Sequence, residues 1–340
     1  MRSTVCVRRA DRMNPRPAVV ELLEGCRWEE LIPSGGSVVI KPNLCTERPE
    51  QIHTANTSIG VLRAVCEVLR ERTSQITIVE SDGARYPAEA AFENNGVYSL
   101  AAALGLRVLN LSKDELVEMP DPRLKGFGMA RTWLEADAFL TLPVLKTHAT
   151  TVFTGALKNQ WGCIPRYDRI LLHKHLHELI GQVNAIRPVT LALMDGLVGM
   201  QGRGPINGYP IDLDVLLASR DPVALDATAM RLIGLEPRTS QHVVHAERIG
   251  LGYQSESRIN VDGLFADLQT KVEPAVEDWA IRLMNRVAQS PFLTKNLLLN
   301  NRVFYPVRRM VAIARSLRNR RPRRGVSLSR RQHRLGAQSR

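Results

Sequence analysis

Short apolar runs alternate with helical stretches through most of this chain, and each run breaks off at a polar turn. Ser37-Val38-Val39-Ile40 is entered from Pro33-Ser34-Gly35-Gly36 and left through Lys41-Pro42-Asn43-Leu44. Pro42 has no N–H for a ladder and biases Lys41 towards extended backbone, so this run reads as a strand with a defined end. Ile59, Leu62, Val65, Cys66 and Leu69 then recur at helical spacing behind Thr57 or Ser58 as N-cap, and Gln75 to Glu80 returns to a strand that stops at Ser81-Asp82-Gly83. Strand, helix and strand with polar strand ends define a parallel βαβ unit.

The alternation continues with a helical region over 88–104, strands at 107–111 and 138–145, and a helix over 173–186. A strand at 189–194 ends at Asp195-Gly196, another covers 214–218, and a helix over 222–233 is capped by Asp221 and stopped by Gly234. The expected fold is α/β, doubly wound around a mostly parallel sheet, with room for two subdomains around a cleft. An α/β body is expected over 1–265, with residues 113–135, rich in charge, Pro and Gly, as an insertion or subdomain edge. A basic amphipathic helical extension is expected over 266–318, with helices at 279–288 and 303–317, and a disordered Arg-rich tail over 319–340.

Charge is distributed unevenly. The formal net charge is +12, yet no acidic residue follows Asp278, while sixteen of the 46 basic residues do. The body before that point carries 30 basic against 34 acidic residues, so the basicity belongs to the C-terminal segment and says little about the fold. An anionic membrane surface or a polyanion is the expected partner of residues 279–340. Nucleic acid is less favoured, because no aromatic platform accompanies the arginines and aromatic residues make up only 5% of the chain. Five cysteines at irregular spacing fit a reducing compartment, and neither a signal-peptide core nor a run of eighteen apolar residues occurs. The expected location is cytoplasmic, including peripheral attachment at the inner membrane surface. Oligomeric state is not encoded in any motif.

Chemistry-bearing residues concentrate where strands end, the usual ligand edge of an open α/β sheet. Lys146 and His148, two apart after the apolar run 138–145, are the expected acid–base or carbonyl-polarising pair; the bland alternative is a surface lysine beside a capping histidine. Lys158 and Asn159 follow Thr154-Gly155 on a helical stretch whose start suits phosphate or carboxylate, against ordinary capping. Lys41 and Asn43 are further substrate- or anion-binding candidates. Gly202 and Gly204, in the glycine-rich stretch 195–208, would let backbone N–H groups approach an anion; the stretch matches neither a dinucleotide fingerprint nor a phosphate-binding loop. Asp82, Asp195 and Asp226 are candidate orienting or metal-binding carboxylates, and His173 and His177 share a helix face at i, i+4 with His175 pointing elsewhere. Cys163 is a weak metal-ligand candidate, more readily explained as a buried small hydrophobe. A divalent metal is compatible with these side chains, and no cofactor is specified.

Taken in order, Lys41-Pro42-Asn43-Leu44, Leu145-Lys146-Thr147-His148, Gly155 to Pro165, Asp195-Gly196 through Gly204-Pro205, and Asp221-Pro222-Val223-Ala224-Leu225-Asp226 closely resemble the bacterial and archaeal domain of unknown function 362 family, over roughly residues 34–262. That resemblance implies an α/β fold found alone or fused to ferredoxin-type modules, with no settled activity. No clustered four-cysteine motif is present here, so no iron–sulfur cluster is expected in this chain. The plan also looks like the nickel-pincer lactate racemase group, in which lysine and histidines surround a nucleotide-derived cofactor, an analogy that favours proton-transfer chemistry. The functional expectation is a small-molecule enzyme acting on an anionic carboxylate or phosphate substrate by Lys/His acid–base chemistry of isomerase or lyase type. The alternative is a non-catalytic accessory or electron-transfer partner recruited through the basic tail.

Overall fold

A computed structural model describes residues 2–84 and 86–319; the tail expected to be disordered lies, apart from Asn319, outside the described residues. One large sheet organises the chain. Its strands are β1 (Ser3–Arg9), β2 (Val38–Pro42), β3 (Ile76–Glu80) and β4 (Arg107–Asn110). The short β5 (Leu116–Val117) and β6 (Met129–Ala130) form a separate ribbon, after which β7 (Ala138–Leu142), β8 (Val144–His148), β9 (Val152–Thr154), β10 (Leu191–Gln201), β11 (Tyr209–Ser219) and β12 (Ile259–Gly263) return to the main sheet. The order across it is β12-β1-β11-β10-β7-β2-β3-β4, with β8 beside β10 and β9 beside β8. Strands β4, β3, β2, β7 and β10 run parallel, and β11 is antiparallel to both of its neighbours.

Alternating side chains feed two cores. Val39, Val79 and Phe139 point to one face, where the Leu176–Ile186, Pro222–Leu232 and Gln241–Arg248 helices pack; Val38, Ile40, Ile78 and Leu140 point to the other, under Arg16–Gly25, Ile59–Leu69 and Val97–Leu104. Helices on both faces of a mainly parallel sheet make this a doubly wound α/β protein. Residues 113–135 join the first core, with Trp133 of the Arg131–Glu135 helix set edge-on against Phe139 at 5.6 Å and 87°. After β12 the chain returns to the body: Val272 is buried, and Gly202 N–H donates to the Glu273 carbonyl at 2.8 Å. Helices follow at Trp279–Ala288 and Asn301–Asn319. Among the described residues no helix is long and apolar enough to cross a membrane.

Three sequence expectations differ from the observed elements. The apolar run 138–145 is divided at Pro143, and the chain moves from pairing with β2 to pairing with β10, so Lys146 and His148 lie inside a hairpin and not after a terminal strand end. The strand expected to stop at Asp195-Gly196 runs on to Gln201, because β11 continues to pair with it beyond a bulge between Gly196 and Val198. The helix expected over 173–186 is a 3₁₀ segment, Arg169–His175, followed by an α-helix from Leu176. His173 and His177 therefore do not share an α-helical face.

Candidate functional site

The hairpin β8–β9, the short Ala156–Asn159 helix and the 3₁₀ segment that starts at Arg169 bring three cations, Lys146, Lys158 and Arg169, into one region. Lys146 is buried, and its Nζ donates to the Ala55 carbonyl at 2.7 Å with the Cys45 Sγ at 3.2 Å. The ammonium of Lys158, a partly buried side chain, makes no hydrogen bond or ion pair among the described residues. Burial, then the charge of Lys146, pushes its ammonium down to about 8, with Arg169 and Lys41 adding to the repulsion and Cys45 opposing it. Arg169 is held by oxygen atoms that carry no charge: its Nη1 donates to Ser81 Oγ at 3.1 Å and to the carbonyls of Asp82, Ile164 and Arg166 at 2.8–3.2 Å. None of these three cations has a carboxylate partner among the described residues.

Lys41 differs. Its Nζ lies 2.7 Å from the Glu80 carboxylate, both side chains are buried, and Asn159 Oδ1 accepts from it at 3.4 Å. Its charge is already answered inside the protein. Asn159 turns its amide to the Lys41 carbonyl and Thr141 Oγ1, while Asn43 donates to the Ala55 carbonyl at 2.6 Å. These three residues build the wall behind the cations.

His148 presents a fixed tautomer. Its Nδ1 accepts from the backbone N–H groups of Thr150 at 3.0 Å and Thr151 at 3.3 Å, so the ring proton of the neutral imidazole sits on Nε2. Burial, followed by repulsion from Lys158 and Lys146, holds this imidazole well below its ordinary pKa. The turn it braces places Val152 at φ 68°, a strained conformation for a β-branched residue. His173 is lowered to about 4, first by burial and then by Lys158, and His177 is lowered for the same two reasons. Both line a cavity of about 380 Å³ together with His175, Thr150 and, from the Trp279–Ala288 helix, Asn285 and Ala288. The switch from 3₁₀ to α between them is what lets His175 line it too, contrary to the sequence expectation.

Several candidates are structural in this arrangement. Asp82 accepts from Ala88 N–H and Asn110 Nδ2, and Asp195 from Ser58 and Leu197 N–H; burial raises Asp195 to about 6. Asp226 takes the N–H groups of Ala156 at 2.6 Å and Leu157 at 3.1 Å, and burial lifts it to about 7. The donors expected to receive an anion at that helix start are therefore occupied by a carboxylate. Gly202 and Gly204 form no anion cradle either: Gly202 N–H goes to Glu273, Gly204 N–H goes to Gly202, and a Cβ on Gly204 would stand 1.8 Å from the Thr147 carbonyl oxygen. Cys163 is buried and pushed up to about 12 by that burial, a protonated and inert thiol. Among the described residues no three His, Cys, Asp or Glu side chains come together as a group that could hold a metal ion.

Sequence reasoning missed Arg169, Cys45 and His242. His242 is fully buried, its Nδ1 3.0 Å from Ser240 Oγ, whose own proton goes to the Thr151 carbonyl. The ring therefore donates from Nδ1 and keeps its lone pair on Nε2, which has no partner among the described residues, and it stacks on His177 at 6.2 Å. Cys45 comes from a loop, Arg169 from the 3₁₀ segment and His242 from the Gln241–Arg248 helix, so no local periodicity links them and only tertiary placement gathers them.

The α/β sheet thus carries a candidate site in which buried Lys146 and partly buried Lys158 and Arg169, without carboxylate partners among the described residues, stand near histidines of lowered pKa. Residues 38–231 match the family described as Domain of unknown function (DUF362), and the chain belongs to that family. It is 29% identical over 226 residues to "Thylakoid-associated protein sll1697" of Synechocystis sp., covering 64% of this chain and 69% of the relative. Among solved structures it is similar to the lactate racemase apoprotein from Thermoanaerobacterium thermosaccharolyticum, with 13% identity, TM-score 0.39, and coverage of 72% of this chain and 57% of that one. A Thermotoga maritima structural-genomics protein gives 11% identity, TM-score 0.36, and coverage of 70% and 58%. The chain thus spans less than three-fifths of either solved chain.

Proposed function

We infer that this protein binds a small carboxylate- or phosphate-bearing molecule at the Lys146–Lys158–Arg169 cluster and acts on it by proton transfer. One observation carries the reading: Lys158 is an ammonium without hydrogen bond or ion pair among the described residues, depressed to about 8 by burial and by like charges. Such a group is costly to hold, and an anion from outside relieves the cost. A lysine near 8 loses its proton readily at neutral pH and so suits acid–base exchange. His148, with its proton fixed on Nε2, supplies a donor to an oxyanion or leaving group. Lys146 contributes charge, Lys41 and Asn159 position the wall, and the reaction class is isomerisation or elimination.

The test is titration calorimetry with inorganic phosphate and a panel of small carboxylates on the wild type, Lys158→Met and His148→Gln. A ligand of the site binds the wild type and loses at least about tenfold in affinity on Lys158→Met. Equal binding by the wild type and Lys158→Met removes this reading.

A further inference from the structure

The C-terminal segment exposes apolar side chains in a density found nowhere else among the described residues. Nine large hydrophobics are more than a third exposed over residues 2–276, scattered singly, as is ordinary for a soluble surface. Eight more fall between Leu283 and Met310 alone, including Leu283 at 52%, Phe292 at 73%, Val307 at 43% and Met310 at 61%. A cluster of this kind marks an interaction surface.

Its charge selects the partner. Arg282, Arg286, Lys295, Arg302 and Arg309 are exposed among these residues, and no acidic side chain follows Asp278 to neutralise them. The helix Trp279–Ala288 has an inner side, with Ala288 buried and Asn285 accepting from Thr150 Oγ1 at 3.3 Å, and an outer side carrying Arg282, Leu283 and Arg286. Thr294 is fully buried, its Oγ1 donating to the Val287 carbonyl at 3.1 Å, which turns the Pro291–Leu293 turn back towards the body with Phe292 outward. Basic side chains alternating with bulky apolar ones on an anchored helical segment fit a bilayer interface, where apolar groups enter between headgroups and arginines meet lipid phosphate.

We propose that residues 282–310 dock this protein on the surface of an anionic lipid bilayer, with Phe292 and Leu297 entering the headgroup layer. The docking face begins on the outer side of the Trp279–Ala288 helix, whose inner side lines the 380 Å³ histidine cavity, so bound protein carries that cavity beneath the membrane-facing layer. This proposal does not depend on which ligand the cation cluster takes.

Co-sedimentation of the full chain with vesicles of phosphatidylcholine alone, and of equimolar phosphatidylcholine and phosphatidylglycerol, is the test. Binding is expected to the anionic vesicles only, to weaken as salt is raised, and to fall about tenfold or more both in Phe292→Ala/Leu297→Ala and in Arg286→Gln/Lys295→Gln. Unchanged melting temperatures in both variants show that the fold is intact. Equal binding to neutral vesicles overturns the proposal. So does unchanged anionic binding in the apolar double variant, which would assign attraction to the terminal arginines alone. Preferential binding of double-stranded DNA, or self-association that Phe292→Ala/Leu297→Ala abolishes, overturns it in favour of a polyanion or a second copy.

Discussion

Replacing Lys158 with methionine should make the protein more stable, and the size of the gain follows from the site. The ammonium falls from an ordinary 10.5 to about 8, chiefly through burial. At about 1.4 kcal/mol per pH unit the upper bound on its cost is about 3.5 kcal/mol, and partial exposure to solvent brings the expected value nearer 2. Below pH 8 both folded and unfolded chains carry the proton, so the native state bears the full cost. Between about 8 and 10.5 the unfolded chain binds more protons than the native one, and wild-type stability rises with pH. Lys158→Met should therefore gain about 2 kcal/mol over wild type at pH 7, with the difference shrinking towards zero as pH approaches 10.5. Urea unfolding of both proteins across this range, in buffers without phosphate or carboxylate, measures the difference directly. A destabilised variant, or a difference that stays constant with pH, would refute the view that this ammonium lacks a partner.

Other outcomes follow from the same geometry. Gly204→Ala should cost at least about 3 kcal/mol in urea unfolding, because its Cβ would meet the rigid Thr147 carbonyl at 1.8 Å. Thiol labelling of the native protein should modify Cys45, which is partly exposed beside Lys146, while Cys163 and Cys66, both held near 12 by burial, react only on unfolding; mass spectrometry of the labelled peptides checks the order. Asp226→Ala should destabilise by about 2 kcal/mol, since it strips the acceptors from the buried N–H groups of Ala156 and Leu157. Anaerobically purified protein should contain no stoichiometric iron or sulfide, as elemental and sulfide analysis would show, because its cysteines are dispersed.

The sheet is legible in the sequence because buried parallel strands are continuous apolar runs with polar ends, and β2, β3 and β7 follow that rule. The β10–β11 pair breaks it. Gly196 and Gly199 read as loop residues, yet they are strand residues that must be small: a Cβ would lie 2.8 Å from the Val215 carbonyl oxygen at one and 2.9 Å from the Leu145 carbonyl oxygen at the other. Close backbone approach and loop flexibility leave the same glycines behind, and only the fold distinguishes them. Asp82 and Asp195 follow apolar strand runs and Asp226 lies one turn into a helix, and in the structure each accepts backbone N–H groups. Lys158 and His148 were visible because they interrupt apolar stretches. Arg169, Cys45 and His242 were not, since they reach the cluster from a 3₁₀ segment, a loop and a separate helix that no local pattern links to it.

Binding of an external anion at Lys158, as proposed, is read most directly on the ammonium itself. Selective isotopic labelling of lysine side chains, with Lys158 assigned by its loss in Lys158→Met, allows its ionisation to be followed by NMR as pH is raised, first without and then with saturating inorganic phosphate or a carboxylate identified by calorimetry. The account predicts titration near 8 in the absence of anion and a rise towards 10.5 once the site is filled. Titration at 10.5 in both conditions would contradict it.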